Sequence, residues 1–267
     1  MIRVAIHGAA GRMGRNLIAA CLDAPGLSLA AAIEHDQHPD LGRDAGEISG
    51  YGAVGISVSA DLSATEFDVA VDFSRPDAAL RMLAACSERG AAAVIGTTGF
   101  EPDQKAEIGR HAGAIPVVMA PNMGVGINLL LGLVEAAARA LGDDYDAEII
   151  ESHHRFKVDS PSGTALRLGE MVAAGRGQKL NDVMAGAHEG RAGERQRGDI
   201  GFAVVRGGDI VGEHTTLFAG DGERVELTHK ASSRRVFAAG AMRAASWVQG
   251  RPAGLYDMQD VLNLSLA

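Results

Sequence analysis

The chain of 267 residues has only two cysteines, no excess of positive charge, no collagen-like glycine period and no internal repeat or low-complexity segment. Each absence removes a class. Cys21 and Cys86 each sit in a stretch with helical apolar spacing and have no metal-ligand companion nearby, so buried reduced thiols are expected rather than a disulfide scaffold or a zinc site. Against 25 Lys and Arg stand 34 Asp and Glu, and the net charge of −9 opposes generic binding to nucleic acid or anionic lipid. A small-molecule partner becomes the expectation. The opening MIRVAIHG is too short for a signal-peptide core, and no later segment holds roughly 18 uncharged apolar residues, so a soluble, cytoplasmic protein is expected. What the chain does have is 46% hydrophobic residues and 35 glycines, enough for a real core and many tight backbone sites in one large or two ordinary domains.

The first half alternates short β-like runs with helix-like stretches, the pattern of a parallel sheet covered by helices. Strands are expected at 2–6, 27–33, 68–73, 92–95 and 115–119, and helices at 11–24, 77–89 and 102–112. After Asn122 the grammar changes. A helix near 126–141 leads into a strand near 146–151, and β-rich runs at 199–206, 209–219 and 223–231 read as an antiparallel meander. The expected fold is α/β: a Rossmann-like, doubly wound parallel sheet over 1–124, then an α+β domain over 125–234 with a mixed, largely antiparallel sheet. The segment 235–267 has helical spacing again and is expected to return to the first domain. The polar stretch 176–198 is long for a loop, and is a working loop, an inter-subunit connection or a solvated face.

Gly8, Ala9, Ala10, Gly11, Arg12 and Met13, with Gly14, lie between the first strand and its helix, where backbone N–H groups and the helix dipole converge on an anion. The spacing G-x-x-G-x-x-G departs from G-x-G-x-x-G. Glu34, about twenty residues further on at the end of the second strand, supplies the carboxylate that accepts from both hydroxyls of an adenosine ribose, so a dinucleotide is expected. A 2′-phosphate needs a cation there, and the next residue is His35, mostly neutral at neutral pH, so NADH is expected over NADPH. Arg12 and Arg43 remain candidate phosphate partners. Two more strand-end turns, Gly96-Thr97-Thr98-Gly99 and Ala120-Pro121-Asn122-Met123, would lie on the same sheet edge and line the nicotinamide half.

The densest chemistry runs from Glu151 to Thr164, with His153, His154, Arg155 and Lys157 within five positions just before a helix start. Ser160 reads as the N-cap and Pro161 as the first helical residue, which leaves N–H groups near Ser162, Gly163 and Thr164 as outward donors. Such donors bind carboxylates. Lys157 and a histidine titrating near neutrality add charge and a proton source.

On these residues the chain resembles the 4-hydroxy-tetrahydrodipicolinate (dihydrodipicolinate) reductase family. The resemblance covers nearly the whole length: GAAGRMG at 8–14, the acid at 34, DFSRP at 72–76, GTTGF at 96–100, APNMGVGIN at 120–128, SHHRFKVDSPSGTAL at 152–166 and RGGDIVGEHTTLFAGDGERVELTHKASSR at 206–234. It implies hydride transfer from a reduced nicotinamide to a cyclic imine dicarboxylate, giving tetrahydrodipicolinate on the diaminopimelate route to lysine. It further implies His153 as proton donor or acceptor, Lys157 as a second proton donor that meets a substrate carboxylate, and His154, Gly163 and Thr164 as substrate-binding residues. Gly8 to Met13, Glu34, Gly96 to Thr98 and Ala120 to Met123 would hold the cofactor. Many relatives carry Arg where this chain has His35. The resemblance also implies a homotetramer built on the C-terminal sheets and domain closure with hinges near 124–128 and 234–238. Hydride chemistry needs no metal, and the acids show no metal-ligand clustering. Two other readings stand beside it: a different nicotinamide dehydrogenase of the same plan, and a non-catalytic dinucleotide sensor, which would have no use for His153, His154 and Lys157.

Overall fold

The structure is a computed structural model that describes residues 1–186 and 193–264. It divides into two compact units: one takes residues 1–125 and 234–263, the other 126–233.

The first unit runs β1 Ile2–His7, α1 Arg12–Asp23, β2 Leu27–Ile33, α2 Ala45–Ser49, β3 Val58–Ser59, β4 Val69–Asp72, α3 Pro76–Arg89, β5 Ala92–Ile95, α4 Pro102–Ala112 and β6 Pro116–Met119. The second holds α5 Val125–Leu141 almost entirely, then β7 Asp146–His153, α6 Gly163–Gly175, α7 Leu180–Val183, β8 Ile200–Arg206, β9 Gly212–Gly220 and β10 Glu223–Ala231. The chain then returns to the first unit as α8 Arg235–Val248, β11 Gly254–Tyr256 and α9 Met258–Leu262.

Seven parallel strands in the order β11-β6-β5-β4-β1-β2-β3 make the first sheet. Both faces are buried, which is why its strands are nearly uninterrupted apolar runs. Val4, Ile6, Val71 and Val94 pack with Leu17 and Ile18 of α1 and with Ala241, Ala245 and Val248 of α8. Ala5, Ala70 and Ile95 pack with Met82 and Leu83 of α3 and Ile108 of α4. Strand order reverses between β1 and β4, so the glycine turn after β1 lies at a switch point, where open α/β sheets bind ligands. Cys21 and Cys86 are free and buried, and burial pushes both thiols up to about 12, far from the reactive thiolate range.

The second sheet has the order β10-β9-β7-β8 and differs from the expected meander. Only β9 and β10 form an antiparallel hairpin; β8 pairs parallel to β7, and β9 pairs antiparallel on the other side of β7. The connection after β8 wraps the end of β7 instead of turning back. The Gly207 N–H donates to the His153 carbonyl at 2.9 Å and the Arg155 N–H to the Gly208 carbonyl at 3.3 Å, which moves the start of β9 to Gly212. Residues 125–144 are long and apolar enough by composition to cross a membrane, yet Ile127, Leu130, Val134 and Ala138 bury one face of α5 in the core of this unit against Ile149, Leu168 and Phe218. The stretch 176–198 contains α7 and is tied down at Arg195, whose guanidinium donates to the carbonyls of Ala147 and Asp199; residues 187–192 of it lie outside the described residues.

Gly14 sits in the first turn of α1, and a Cβ there would stand 2.1 Å from the Gly8 carbonyl oxygen and 2.5 Å from that of Ala9. Backbone cannot yield as a flexible side chain would. Gly14→Ala is therefore expected to destabilise the first unit by at least about 1–3 kcal/mol, the usual cost of overpacking. A thermal melt checks this; an unchanged midpoint would contradict the close approach.

Candidate active site

The turn after β1 is held from behind by β2. The N–H groups of Gly8 and Ala9 both donate to the Ile33 carbonyl, at 2.9 and 3.0 Å, and Gly8 adopts a φ of 75° that favours glycine. Glu34 follows β2, and its carboxylate accepts from the Ala10 N–H at 3.1 Å and the His35 N–H at 3.0 Å. The predicted ribose acid is thereby locked to the predicted pyrophosphate turn. A cleft of about 900 Å³ opens beside them, lined by Gly8, Gly11, Glu34 and His35 and by two arginines of the DFSRP strand end and its helix, Arg75 and Arg81. These were missed by sequence reasoning because α3 reaches the cleft only through the sheet order. Arg43, one of the expected phosphate partners, is instead paired with Asp40 at 2.5 Å, and Arg12 is exposed at the start of α1.

Asp72, fully buried at the end of β4, organises the neighbouring strand ends. Its carboxylate meets His7 Nδ1 and the Ser74 hydroxyl at 2.6 Å each and accepts from the Thr97 hydroxyl at 2.5 Å. Thr97 thus turns its side chain inward, while Thr98 is exposed. Gly96 carries the ring of Phe73, which a Cβ would approach to 2.2 Å. In the next turn Ala120 and Met123 are buried and Pro121 is exposed, and the Gly124 N–H donates to the Asn122 side chain at 2.9 Å.

In the second unit, strand alternation puts Glu151 and His153 on one face of β7, towards the core. The Glu151 side chain is fully buried. Its Oε2 meets His153 Nδ1 and accepts from Arg206 at 2.8 Å; its Oε1 accepts from Arg206 at 2.9 Å and from the Ser162 N–H at 2.9 Å. Burial alone would raise the Glu151 pKa; the Arg206 fork, His153 and the Ser162 amide outweigh it and hold the carboxyl below its ordinary range. His153 is drawn below its ordinary value, chiefly by burial, with Glu151 opposing and Lys157 and Arg206 assisting. His214 on β9 packs edge-on to His153 with ring centroids 5.0 Å apart, and its Nε2 lies 3.1 Å from the Ser162 hydroxyl.

The helix start departs from expectation. Ser162, not Ser160, is the N-cap, its hydroxyl accepting from the Ala165 N–H at 3.1 Å, and Pro161 lies outside the helix. The amide of Ser162 is not an outward donor, since Glu151 holds it inward. Gly163 and Thr164 are the first two residues of α6. The loop between β7 and α6 exposes Phe156 and Val158 on either side of Lys157, whose ammonium donates to both oxygens of Asp159 at 2.8 and 2.7 Å. His154 is partly buried, with its Nδ1 shielded from solvent and without a partner. Glu151, Arg206 and His214 carry no role that the sequence alone assigns, and Ser162 holds a different one from the outward donor expected of it. The signal was the two-residue spacing of Glu151 and His153; Arg206, 55 residues from Glu151, needed the β7–β8 register, which pairs it with His153.

A parallel sheet with a glycine turn at its switch point, tied to an acid at the end of β2, defines a Rossmann-type dinucleotide-binding unit. The chain belongs to the dihydrodipicolinate reductase family: the N-terminal model of that family matches residues 2–123 and the C-terminal model residues 126–262. The 4-hydroxy-tetrahydrodipicolinate reductase of Hahella chejuensis (strain KCTC 2396) is 54% identical over 99% of this chain and 100% of its own. Among solved structures, the dipicolinate-bound dihydrodipicolinate reductase of Paenisporosarcina sp. TG-14 matches with a TM-score of 0.78 and 27% identity over 97% of this chain and 98% of that one. An amine dehydrogenase from Mycobacterium smegmatis shares the fold, with a TM-score of 0.63 and 16% identity over 95% and 94%.

Burial lowers the His214 pKa to about 4 from an ordinary value of 6.5. Between those values the unfolded chain binds more protons than the folded one, so stability falls as pH drops from about 6.5 to about 4. His153 and His229 shift in the same direction. Denaturant midpoints at about pH 7 and about pH 5 should show this slope, and His214→Gln should flatten it. A slope unchanged by the substitution would contradict the buried neutral state.

Proposed function

We propose that the chain reduces 4-hydroxy-tetrahydrodipicolinate (dihydrodipicolinate) to tetrahydrodipicolinate in the diaminopimelate route of lysine biosynthesis. The observation that carries this reading is the second unit's arrangement of His153 and the α6 start around one buried carboxylate, in a chain whose family membership spans both units. The bound reduced nicotinamide supplies the hydride.

The chain's own residues do the rest. Of the turn from Gly8 to Met13, the amides of Arg12 and Met13 in the first turn of α1 meet the pyrophosphate, the N–H groups of Gly8, Ala9, Ala10 and Gly11 being bonded within the protein, and Glu34 takes the ribose hydroxyls. Gly96 to Thr98 and Ala120 to Met123 border the nicotinamide end of the same sheet edge. The amides of Gly163 and Thr164, at the positive end of α6, hold one substrate carboxylate. Lys157 exchanges Asp159 for the substrate, meets a carboxylate and donates a proton, and His154 contributes to binding. Hydride addition to a conjugated imine builds negative charge, which a proton from His153 quenches. The dipicolinate bound by the Paenisporosarcina relative is a planar dicarboxylate, in keeping with such a site.

NADH is the preferred cofactor, because a carboxylate at Glu34 repels a 2′-phosphate and His35 brings no permanent cation. Arg75 and Arg81 in the same cleft leave NADPH usable. The protein acts in the cytoplasm, as a homotetramer. Ile150 on β7 and Val205 on β8 are exposed apolar side chains of the second sheet, which suits a covering subunit. No nucleic acid or membrane partner is invoked.

The direct test is nicotinamide absorbance when protein meets the condensation product formed in place from pyruvate and aspartate semialdehyde. Rapid NADH oxidation is expected, slower with NADPH; no oxidation of either by protein that still binds NADH would overturn the reading. His153→Ala and Lys157→Ala should each lower kcat by about 10²–10⁴, the usual worth of a positioned acid or base, with NADH affinity nearly intact. Arg81→Ala should raise the KM for NADPH about tenfold, the loss of one charged contact, and leave that for NADH unchanged. Equal effects on both cofactors would remove Arg81 from phosphate binding.

A further inference from the structure

We infer that Glu151 is a positioning residue that joins the proton donor and the carboxylate-binding turn through its two oxygens, fixing His153 as the Nδ1–H tautomer with Nε2 left for proton exchange. The inference rests on the reading of His153 and α6 above and deepens it. An ionised carboxylate offers about four acceptor sites, and here all four are filled. Oε2 takes His153 Nδ1 and one arm of Arg206; Oε1 takes the other arm and the Ser162 amide. A carboxylate so engaged can only accept, so the proton between it and His153 belongs to the imidazole Nδ1. Nε2 is then the atom whose protonation changes.

The surroundings of Nε2 fit that role. It points towards Gly212 at the start of β9, where a Cβ would stand 3.1 Å away, so glycine leaves the nitrogen uncovered. His214 is placed to exchange a hydrogen bond with Ser162 rather than with His153. At the other oxygen, the Ser162 amide is the residue just before Gly163 and Thr164, and Ser162 itself caps α6. Moving the Glu151 carboxylate therefore moves both the imidazole and the first turn of the helix. Arg206 completes the device: it grips both oxygens, and a further donor bond to the Asp159 carbonyl at 2.8 Å ties it to the loop that carries Lys157. A buried ion pair is weak evidence for stability as such, because desolvation offsets most of the attraction; two of the four bonds here end on elements of the proposed site.

The charged and titratable groups facing His153 are Glu151 on its own strand, Arg206 on β8, Lys157 in the following loop and His214 on β9. Only Glu151 favours the imidazolium. Glu151→Gln keeps the shape and removes that charge, so the protonated fraction of His153 falls at a given pH. If His153 donates the proton, the alkaline limb of the kcat profile moves to lower pH.

The test begins with 15N-histidine NMR of the full chain without substrate. The parent should show His153 protonated at Nδ1 and bare at Nε2 above its pKa. In Glu151→Gln that preference should be lost, because an amide can donate to Nδ1. In steady state the variant should lose tenfold or more in kcat, raise the substrate KM, shift the alkaline limb to lower pH and keep its NADH affinity. Arg206→Lys, which keeps charge but not the fork, should fall between the two. An Nε2–H tautomer in the parent overturns the inference even if no variant folds. So does a Glu151→Gln enzyme with the parent's tautomer and an unshifted limb. If His153→Ala turns over at the parent rate while the tautomer result holds, the catalytic reading has failed and the geometry of Glu151 has not.

Discussion

A carboxylate with no exposed surface, held by an arginine fork, is the constraint on which the second unit's site depends. Burying an unpaired carboxylate costs several kcal/mol even after relaxation, so Glu151 tolerates its place only with its donors supplied. Those donors come from β7, β8 and the residue before α6, which means that strand register, helix start and imidazole orientation are set together. The parallel pairing of β8 with β7 supplies part of that demand. It brings Arg206 beside His153, where an antiparallel meander of β8, β9 and β10 would not.

The first unit is built on a similar principle with different chemistry. Asp72, also fully buried, gathers His7, Ser74 and Thr97 from the ends of three adjacent parallel strands or the turns that follow them. The glycine turn is then fixed by backbone bonds to Ile33 and by the Glu34 carboxylate on Ala10. Gly14 and Gly96 remove the side chains that would keep helix and ring from closing over these turns. The shape of the turn is thus set before any ligand arrives, and the amides at the start of α1, not those of the turn itself, are the ones left to face an anion.

The parts of this plan that depend on neighbours in sequence were legible without a structure. The turn at 8–14, the acid at 34, most strands of the parallel sheet and the segment from His153 to Thr164 are short-range patterns, and periodicity or spacing carries them. What depended on distant residues was not. Ser160 before Pro161 satisfies the local rule for a helix start, but the bond from the Ser162 amide to Glu151 moves the cap two residues on. Arg75 and Arg81 enter the cleft beside Glu34 only because β4 lies next to β1, and Arg206 reaches Glu151 across 55 residues. The short elements α2, β3, α7, β11 and α9 carry too few residues for a period to show.

The proposed site seats a cyclic dicarboxylate at the α6 start with its ring presented to His153. A crystal structure of the protein with NAD+ and pyridine-2,6-dicarboxylate tests it most directly. One carboxylate is expected on the amides of Gly163 and Thr164, with Lys157 released from Asp159 towards the ligand and His153 Nε2 on the ligand's side of the imidazole. A dicarboxylate seated away from α6, with Lys157 still on Asp159, would contradict it.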